Sequence, residues 1–467
     1  MKFIGRNEEL NKLNKLINSD RLNFSLVYGR RRIGKSELIK QALKENNTKT
    51  CIYYECKAVS EKGNVESLSE IFSEKLKLPR LGYKSMEELL KYIFETSKEE
   101  KIVLVLDEYP YLKESIKGMD SILQTLIDNY KDKSKITLII AGSYVSIMKS
   151  LLEESNPLFG RIDLTIHLKQ MDYFDAAKFY PNFSSEDKVK IYSVFGGIPY
   201  YNQLVDDSLS VKENIIELIA SENARLENEV TMYISNEIKK ITNANETFNA
   251  LANGICKYSD ILSKSHVSSG PTLMDVLNKL INMEIVEKEA PINDENNKKK
   301  SRYRICDNLS MFYYRYIFKY SSQIKIMDSK TFYEKYIDED FESIYVPHQF
   351  ENICKQYLIR LNKNCLVNPI LEKIGKYYYD DPVNRTSGEF DIVTYDENGY
   401  IFYEAKFRKT PITNSIINEE IEQVEKTGLK CYKYAFISKT GFKCSQKDNL
   451  ILIDLEDLYK NTIESKK

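Results

Sequence analysis

One eight-residue segment constrains this 467-residue chain more than any other. Residues 29–36 read GRRRIGKS, which satisfies the pattern G-x4-G-K-[ST] of a phosphate-binding loop. The segment follows the apolar run 24–28 and precedes a helix-forming run that starts at Glu37, so a strand, a loop and a helix succeed one another as the motif requires. Backbone N–H groups of such a loop surround phosphate oxygens, and the helix dipole favours their negative charge. The sequence therefore predicts a nucleoside triphosphate site.

Four residue types at and beyond the loop suit a triphosphate bound with Mg²⁺. Lys35 can neutralise charge on the β- and γ-phosphates, and Ser36 can bind the metal. Residues 104–108, LVLDE, have the form of a Walker B strand, in which Asp107 holds the Mg²⁺ shell and Glu108 polarises the attacking water. The alternative is a strand that simply ends in two solvated acids. ATP and Mg²⁺ are therefore the predicted cofactors.

Two weaker signals lie further along the chain. Ser143 follows the apolar run 136–141 and Gly142. At the end of this predicted strand, a small polar side chain can contact the γ-phosphate or water. Arg161 closes the segment PLFGR and is a candidate arginine finger. A helix-capping serine and a surface arginine are the alternatives for these two residues. The nucleotide contacts expected from the loop itself involve Gly29, Arg30, Arg31, Arg32, Ile33, Gly34, Lys35, Ser36 and Glu37.

The pattern of apolar residues predicts an α/β fold at both ends of the chain. Up to about residue 170, helices alternate with four short strands, which is typical of a parallel sheet: 24–28, 51–55, 102–107 and 136–141. Residues 171–240 are predicted to be helical throughout. Residues 246–306 predict three short helices and a β-ribbon, the pattern of a winged helix. From residue 350 the pattern returns to helices and strands, including a hairpin around the Asn-Gly turn at 398–399.

Six short motifs in order resemble the archaeal-type ATPases of the AAA+/STAND division, over roughly residues 1–235. They read FIGR with EEL, YGRRRIGKS, LDE, GS, PLFGR and GGIPY. The resemblance implies an ASCE/AAA+-like P-loop NTPase with a helical lid, in which Arg6 helps to hold the nucleotide, Ser143 is a sensor and Pro199 lies near the base. Members of this family often carry a winged helix and a nuclease-like domain. We therefore expect three domains, at 1–235, 240–320 and 330–467.

The predicted winged helix is a weak candidate for reading DNA sequence. Its third helix carries only Asp275 and Lys279, whereas base recognition uses Arg, Asn, Gln or Lys on the exposed face. The wing lysines 298–300 can still contact phosphates, which is a use that does not depend on sequence. A packing or switching role is therefore favoured over sequence recognition.

The hairpin at 389–406 carries a second candidate site. Asp391 lies on one strand, and Glu404 and Lys406 share a face of the next, so the two carboxylates can converge on one Mg²⁺ while the lysine activates water. This arrangement is similar to the PD-(D/E)xK nucleases, whose restriction-endonuclease-like fold is implied for the C-terminal domain. Glu351 on the preceding helix is the candidate helical acid. The alternative is a surface ribbon with solvated charges.

Composition limits the class of protein without choosing its partner. Lys and Arg number 68 against 69 Asp and Glu, but residues 1–50 hold 12 against 5, a local net charge of +7, and residues 298–320 come to about +6. DNA contact is therefore expected through patches and without sequence specificity. Eight scattered cysteines and the absence of a long apolar run predict a cytoplasmic protein that does not enter a membrane. Oligomerisation through the ATPase domain stays open.

These inferences combine into one expected function and one alternative. We expect an ATP-binding and ATP-hydrolysing switch coupled to a Mg²⁺-dependent DNA nuclease, acting in defence, repair or a mobile element. The alternative is a signalling ATPase whose C-terminal domain is inactive and only binds DNA or a protein partner. The first is the preferred interpretation, and the sequence does not choose among defence, repair and a mobile element.

Overall fold

The structure is a computed structural model that describes residues 3–47, 50–238, 241–297, 300–381 and 386–460. The chain forms two compact units, residues 1–170 and 171–467. The three domains expected from the sequence stay a prediction.

The first unit is built on a five-stranded sheet in which every pair of neighbours is parallel, in the order β2-β3-β4-β1-β5. The strands are β1 Asn23–Tyr28, β2 Cys51–Glu55, β3 Val103–Asp107, β4 Thr137–Gly142 and β5 Leu164–His167. The helices are α1 Asn7–Ile17, α2 Lys35–Glu45, α3 Glu61–Leu76, α4 Met86–Thr96, α5 Pro110–Ser115, α6 Met119–Tyr130 and α7 Val145–Ser150.

The central strands of this sheet are apolar because both of their faces are covered. All residues of β1, β3 and β4 are buried, as expected for a parallel sheet between helices. The four predicted strands are confirmed within one or two residues. The edge strand β5 was not predicted, because its four residues include Thr and His and lack a continuous apolar run.

The second unit begins with helices and then forms the ribbon and a second sheet. Its first helices are α8 Tyr173–Ala176, α9 Ser185–Phe195, α10 Pro199–Asn202, α11 Val211–Leu218 and α12 Glu229–Glu237, with a 3₁₀ turn at Ala177–Phe179. The predicted helical character is confirmed for the described part of this stretch. Next come α13 Ile241–Ala252, α14 Tyr258–Lys264, α15 Gly270–Asn282, β6 Val286–Glu289, β7 Arg302–Ile305 and α16 Asn308–Phe312. These three helices and the β6–β7 ribbon match the predicted winged-helix pattern.

A mixed five-stranded sheet in the order β14-β12-β10-β9-β8 forms the C-terminal part. Its strands are β8 Lys373–Asp381, β9 Thr386–Asp396, β10 Gly399–Lys406, β12 Cys431–Ser438 and β14 Leu450–Asp454, with a small pair β11 Ile412–Thr413 and β13 Phe442–Lys443. The helices are α17 Ser329–Tyr336, α18 Asp338–Asp340, α19 Val346–Lys363 and α20 Asn414–Lys426, with π-helical turns at Tyr313–Phe318 and Phe341–Tyr345 and a 3₁₀ helix at Leu455–Tyr459. The predicted hairpin is confirmed as the antiparallel pair β9–β10.

The loop between β6 and β7, which we call the wing, packs against the edge strand β8. The backbone N–H of Ile292 donates to the carbonyl of Lys376 at 2.8 Å, and the Asn293 side chain bonds both backbone groups of Tyr378, at 2.8 and 3.2 Å. Ile292 is buried in the core of the C-terminal sheet. The wing therefore covers hydrogen-bonding groups that an edge strand would otherwise expose.

Gly197, in the GGIPY segment, provides a test of close packing in the second unit. A Cβ atom at this position would lie 1.8 Å from the backbone oxygen of Met171, whose N–H donates to the Gly197 carbonyl at 2.8 Å. We expect Gly197→Ala to lower the free energy of unfolding by about 3 kcal/mol or more, because backbone must move to admit the methyl group. Urea denaturation measures the change. Gly82→Ala is the control, since a Cβ there meets no atom within 4 Å; equal effects of the two changes would contradict this interpretation.

Candidate functional site

The phosphate-binding loop joins β1 to α2 within the first unit. Gly29 has φ +154°, and a Cβ atom on it would lie 2.3 Å from the backbone oxygen of Leu168. Only glycine fits at this position without displacing the loop. Arg32 also has a positive φ, +66°, which few side chains adopt. The loop is thus held close to the chain that follows β5, and it ends where Lys35 begins α2.

The ammonium group of Lys35 lies beneath the loop with all three of its protons engaged. It donates to the carbonyls of Gly29 and Arg30, at 3.0 and 3.1 Å, and to the hydroxyl of Ser143 at 3.0 Å. Burial lowers the pKa of Lys35, while the nearby carboxylates of Glu108 and Asp107 act in the opposite direction. A buried positive charge at the start of a helix that follows a glycine-containing loop favours the binding of a phosphate group there.

Ser36 and Asp107 lie side by side next to the loop. The Ser36 hydroxyl donates to Oδ2 of Asp107 at 2.6 Å, and the backbone N–H of Glu108 donates to Oδ1 at 3.0 Å. The hydroxyl of Tyr53 donates to the same Oδ2 atom. Hydroxyl and carboxylate oxygens are the donors that Mg²⁺ takes, so these two residues fit a Mg²⁺ ion. Tyr53 was missed by sequence reasoning, because its position is set by the pairing of β2 with β3.

Glu108 adopts a left-handed backbone conformation, with φ +53°, directly after β3. Its carboxylate accepts from both the hydroxyl and the backbone N–H of Ser143, at 2.5 and 3.2 Å. Strained backbone of this kind is found where a side chain must be aimed for function. Lys35, Ser143 and Glu108 thus form one connected network, and the structure brings together the residues that the sequence assigned to phosphate, sensor and water.

The remaining loop residues occupy different environments. Arg30 and Ile33 are buried, Arg31 is exposed, and Glu37 is exposed and pairs with Lys40 at 3.7 Å. A direct nucleotide contact from these side chains stays a prediction.

Arg6 lies in the first unit near the loop that follows β5. It has φ +61° and precedes α1. Its guanidinium donates to the carbonyl of Lys169 at 2.5 Å and contacts Glu9 at 3.5 Å. Its expected contact with the nucleotide stays a prediction.

Arg161 is bound to a different acid from those of the loop. Its guanidinium forms a two-bond ion pair with Asp128, with both distances 2.8 Å, and it also donates to the carbonyls of Pro157 and Phe159. The pair lowers the pKa of Asp128 through the guanidinium hydrogen bonds. These contacts are those expected of a surface arginine, which is the alternative interpretation. The role of Arg161 as an arginine finger stays a prediction.

Pro199 starts α10 in the second unit.

A second cluster forms where β9 and β10 run together in the C-terminal sheet. Lys406 donates to Glu404 at 2.6 Å and to Glu420 of α20 at 2.8 Å. Burial raises the pKa of Glu404 to about 7; Lys406 opposes the rise, and Glu420 and Asp391 add to it. Of the three predicted residues, Lys406 thus bonds Glu404 directly, and Asp391 affects the pKa of Glu404. Glu420 was missed because α20 lies beyond the hairpin motif.

Glu351 joins this cluster from α19. Its carboxylate is 3.1 Å from Nδ1 of His348. Burial raises the pKa of Glu351, the hydrogen bond from His348 lowers it, and the negative charge of Asp391 raises it further. The helical acid predicted from the sequence therefore does approach the hairpin acids.

Lys376 of β8 is a feature of the cluster that the sequence did not reveal. Its ammonium donates to Asp391 at 2.6 Å and to Glu389 at 2.7 Å. Burial would lower the pKa of Lys376, but the charges of Asp391 and Glu389 outweigh it and raise the pKa. A lysine thus neutralises the acid that was predicted to bind metal. Among the described residues, no group of three or more His, Cys, Asp or Glu side chains is placed to hold a metal ion.

The candidate DNA contacts of the predicted winged helix lie only partly within the described residues. Lys298 and Lys299 lie outside the described residues. Lys300 is 3.4 Å from Asp294, and on α15 Lys279 is 2.8 Å from Asp275. The two charged residues of the would-be recognition helix therefore pair with each other.

The family comparison decides the nature of the first part of the chain. Residues 3–205 match the family described as "ATPase domain predominantly from Archaea". This segment is an ATPase domain of archaeal type. The match supports ATP hydrolysis. Residues 313–424 match a second family, described as "Archaea bacterial proteins of unknown function".

Relatives and solved structures extend this result. An uncharacterized protein of Methanocaldococcus jannaschii is 29% identical over 97% of this chain and 99% of its own length. The Walker-type ATPase of Pyrococcus abyssi matches with a TM-score of 0.51 and 19% identity, covering 67% of this chain and 96% of that one. The Aeropyrum pernix ORC2 protein matches with a TM-score of 0.50 and 13% identity, covering 70% and 96%. At such identities the two structures establish a shared fold, the P-loop ATPase fold.

These matches do not show two finer assignments, which concern the C-terminal sheet and the division to which the ATPase domain belongs. The C-terminal mixed sheet is present, but its nuclease-like identity and the placement of the ATPase domain in the STAND division stay predictions. In the part of the chain that the structure describes, no helix combines the length and the apolar character needed to cross a membrane.

Proposed function

We propose that the protein is an ATP-hydrolysing switch that controls a nuclease-like domain acting on DNA. The observation that carries the first half is the hydrogen-bonded series from Lys35 through Ser143 to Glu108, beside the Ser36–Asp107 pair. These residues supply charge neutralisation, a sensor and a water-activating carboxylate, which are the parts that phosphoryl transfer needs.

ATP and Mg²⁺ are the proposed cofactors of the ATPase domain. Ser36 and Asp107 would hold the metal, and Lys35 with the loop amides would hold the phosphates. Bound Mg²⁺ would supply neutralisation of the charge that develops on the transferred phosphoryl group. The Aeropyrum pernix ORC2 structure is described as ADPNP–ADP complexes, and its shared fold supports nucleotide binding here. Oligomerisation through this domain is a further part of the proposal.

The second half of the proposal assigns Mg²⁺-dependent cleavage of DNA to the C-terminal sheet. Asp391 and Glu404 would bind the metal, Lys406 would orient water, and Glu351 would assist as the helical acid. The proposal is supported by the pairing of β9 with β10, which carry Asp391 and Glu404, by the hydrogen bond from Lys406 to Glu404, and by the effect of Asp391 on the pKa values of Glu404 and Glu351. DNA would be held through basic patches without sequence recognition, and the three domains would divide at 1–235, 240–320 and 330–467.

A second candidate function is an ATPase whose C-terminal domain binds DNA or a protein partner without cleaving it. The observation that favours it is Lys376, whose ammonium is bound to Asp391 and Glu389. An ammonium group bound to these carboxylates competes with a metal ion for the same oxygens. In this alternative the acids serve as structural ion-pair partners.

Glu404→Gln distinguishes the two candidates. We expect the full chain to cleave plasmid and linear DNA with Mg²⁺ or Mn²⁺, and Glu404→Gln to reduce the rate at least about 100-fold, because the variant loses a charged metal ligand. Cleavage is followed on gels, with and without ATP. Glu397→Gln is the matched control, since Glu397 is an exposed acid at the turn of the same hairpin.

Three outcomes separate the possibilities. Equal cleavage by wild type and Glu404→Gln would show that the site is elsewhere or the activity is a contaminant. DNA binding without cleavage under any metal would support the non-cleaving alternative. Loss of cleavage with retained ATP turnover would support the nuclease assignment, because a misfolded chain would lose both.

A further inference from the structure

A cavity of about 220 Å³ lies within the second unit, and its wall includes Lys376, which bonds Asp391, but not the carboxylates proposed to bind metal. Its walls come from the end of α13, the β6–β7 ribbon, α19, and strands β8 and β9. The charged residues of the wall are Arg302, Arg304, Arg315, Lys376, Glu289 and Glu389. Four arginine and lysine side chains thus face two carboxylates.

Most of these charges already have partners. Glu289 accepts a hydrogen bond from Lys355 at 2.5 Å. Burial by itself would raise the pKa of Glu289, but the positive charges of Arg304 and Lys355 outweigh burial and lower the pKa. Arg304 bonds Glu287, and Arg315 makes a two-bond pair with Asp340 at 2.7 Å. The wall acids are therefore compensated by lysine and arginine.

Arg302 is the exception among the wall cations. No carboxylate of the described residues forms an ion pair with its guanidinium. One nitrogen donates to the carbonyl of Lys300 at 3.2 Å, and the guanidinium lies 5.0 Å from the centre of the Tyr378 ring. Its full positive charge is thus available to the cavity.

Tyr378 supplies a second unsatisfied group in the same wall. Tyr378 is only 7% exposed, and its hydroxyl has no hydrogen-bond partner among the residues that the structure describes. A buried hydroxyl without a partner costs about 1–3 kcal/mol, so a ligand atom that accepts from it would be favoured. Burial raises the pKa of Tyr378 to about 12, which keeps the hydroxyl a donor. The backbone of Tyr378 is fixed by Asn293 of the wing, so the donor is held in place.

We propose that this cavity binds a phosphate monoester, through Arg302 and the hydroxyl of Tyr378. The guanidinium of Arg302, which pairs with no carboxylate of the described residues, favours an anionic group, and a phosphate accepts hydrogen bonds in several directions. The volume is below the roughly 300–1,000 Å³ of typical ligand pockets, which suits one phosphate with a sugar rather than a whole dinucleotide. The phosphate comes either from a free sugar phosphate or from the 5′ end of a DNA strand. The inference goes beyond the proposed function and does not rest on it.

The test uses the full chain carrying Lys35→Ala, so that the phosphate-binding loop does not contribute. Isothermal titration calorimetry without divalent metal compares ribose 5-phosphate with ribose, and a 5′-phosphorylated trinucleotide with its unphosphorylated form. We expect binding that requires the phosphate, and at least tenfold weaker binding in Arg302→Gln and in Tyr378→Phe. The controls are Lys288→Gln and Tyr377→Phe, which change neighbouring residues outside the cavity wall.

Each outcome bears on the proposal. Phosphate-dependent binding that both cavity variants weaken supports it, and the stronger of the two phosphorylated probes identifies the source. Absence of binding, equal binding of ribose, or binding that neither variant changes would overturn it. Tyr378→Phe removes one oxygen atom only, so a folded variant keeps the test decisive if Arg302→Gln is unstable.

Discussion

Lys35→Ala should abolish ATP turnover, lowering the rate at least about 100-fold, as the loss of one preorganised donor to developing charge typically does. The lysine is buried and directs its three protons at the carbonyls of Gly29 and Arg30 and at Ser143. Alanine removes the positive charge that the β- and γ-phosphates need and leaves these acceptors without a donor. Release of inorganic phosphate from ATP measures the rate.

The control for this change is Lys40→Ala. Lys40 lies on the same helix but is exposed. Its Nζ atom is 3.7 Å from Oε1 of Glu37, which is long for an ion pair. Exposed pairs of this kind contribute little to stability. The control should keep wild-type turnover. An Lys35→Ala variant that hydrolyses ATP at the wild-type rate would refute the assignment of the phosphate-binding loop.

Glu108→Gln should separate ATP binding from ATP hydrolysis. Glutamine keeps the shape of the side chain but removes the carboxylate that would polarise water, and loss of a general base costs about 10²–10⁴-fold in rate. Binding should persist, because Lys35 and Ser36 are unchanged. Turnover and the affinity for a fluorescent ATP analogue are the two measurements.

An exposed acid on the next helix, Glu114, gives the control Glu114→Gln, which should leave both quantities unchanged. If Glu108→Gln turned over ATP normally, the base would have to be another residue. If it lost ATP binding, the bonds from Ser143 to Glu108 would be needed to shape the loop itself.

Local sequence was sufficient for features that depend on neighbours in the chain. The phosphate-binding loop was predictable because its strand, loop and helix are consecutive, and the face shared by Glu404 and Lys406 follows from the period of a strand. The Asn-Gly turn fixed the hairpin that carries Asp391 opposite them.

Contacts between distant segments were not predictable. Tyr53 reaches Asp107 because β2 pairs with β3, and Lys376 reaches Asp391 because β8 pairs with β9. Glu420 reaches Lys406 from α20, fourteen positions further along the chain. No pattern within any one segment indicates such partners, since strand pairing is set by packing of the whole sheet.

By itself, the sequence determined that a buried strand leads into the loop motif that contains Lys35 and Ser36 and that another strand ends in two acids. Only the tertiary structure decided that β4 lies between β1 and β3. The carboxyl ends of parallel strands meet at one edge of the sheet, so Ser143 after β4 lies between Lys35 and Glu108 and bonds both. The order of strands is fixed by nonlocal packing, and for that reason the serine's position as a bridge could not be derived from its own segment.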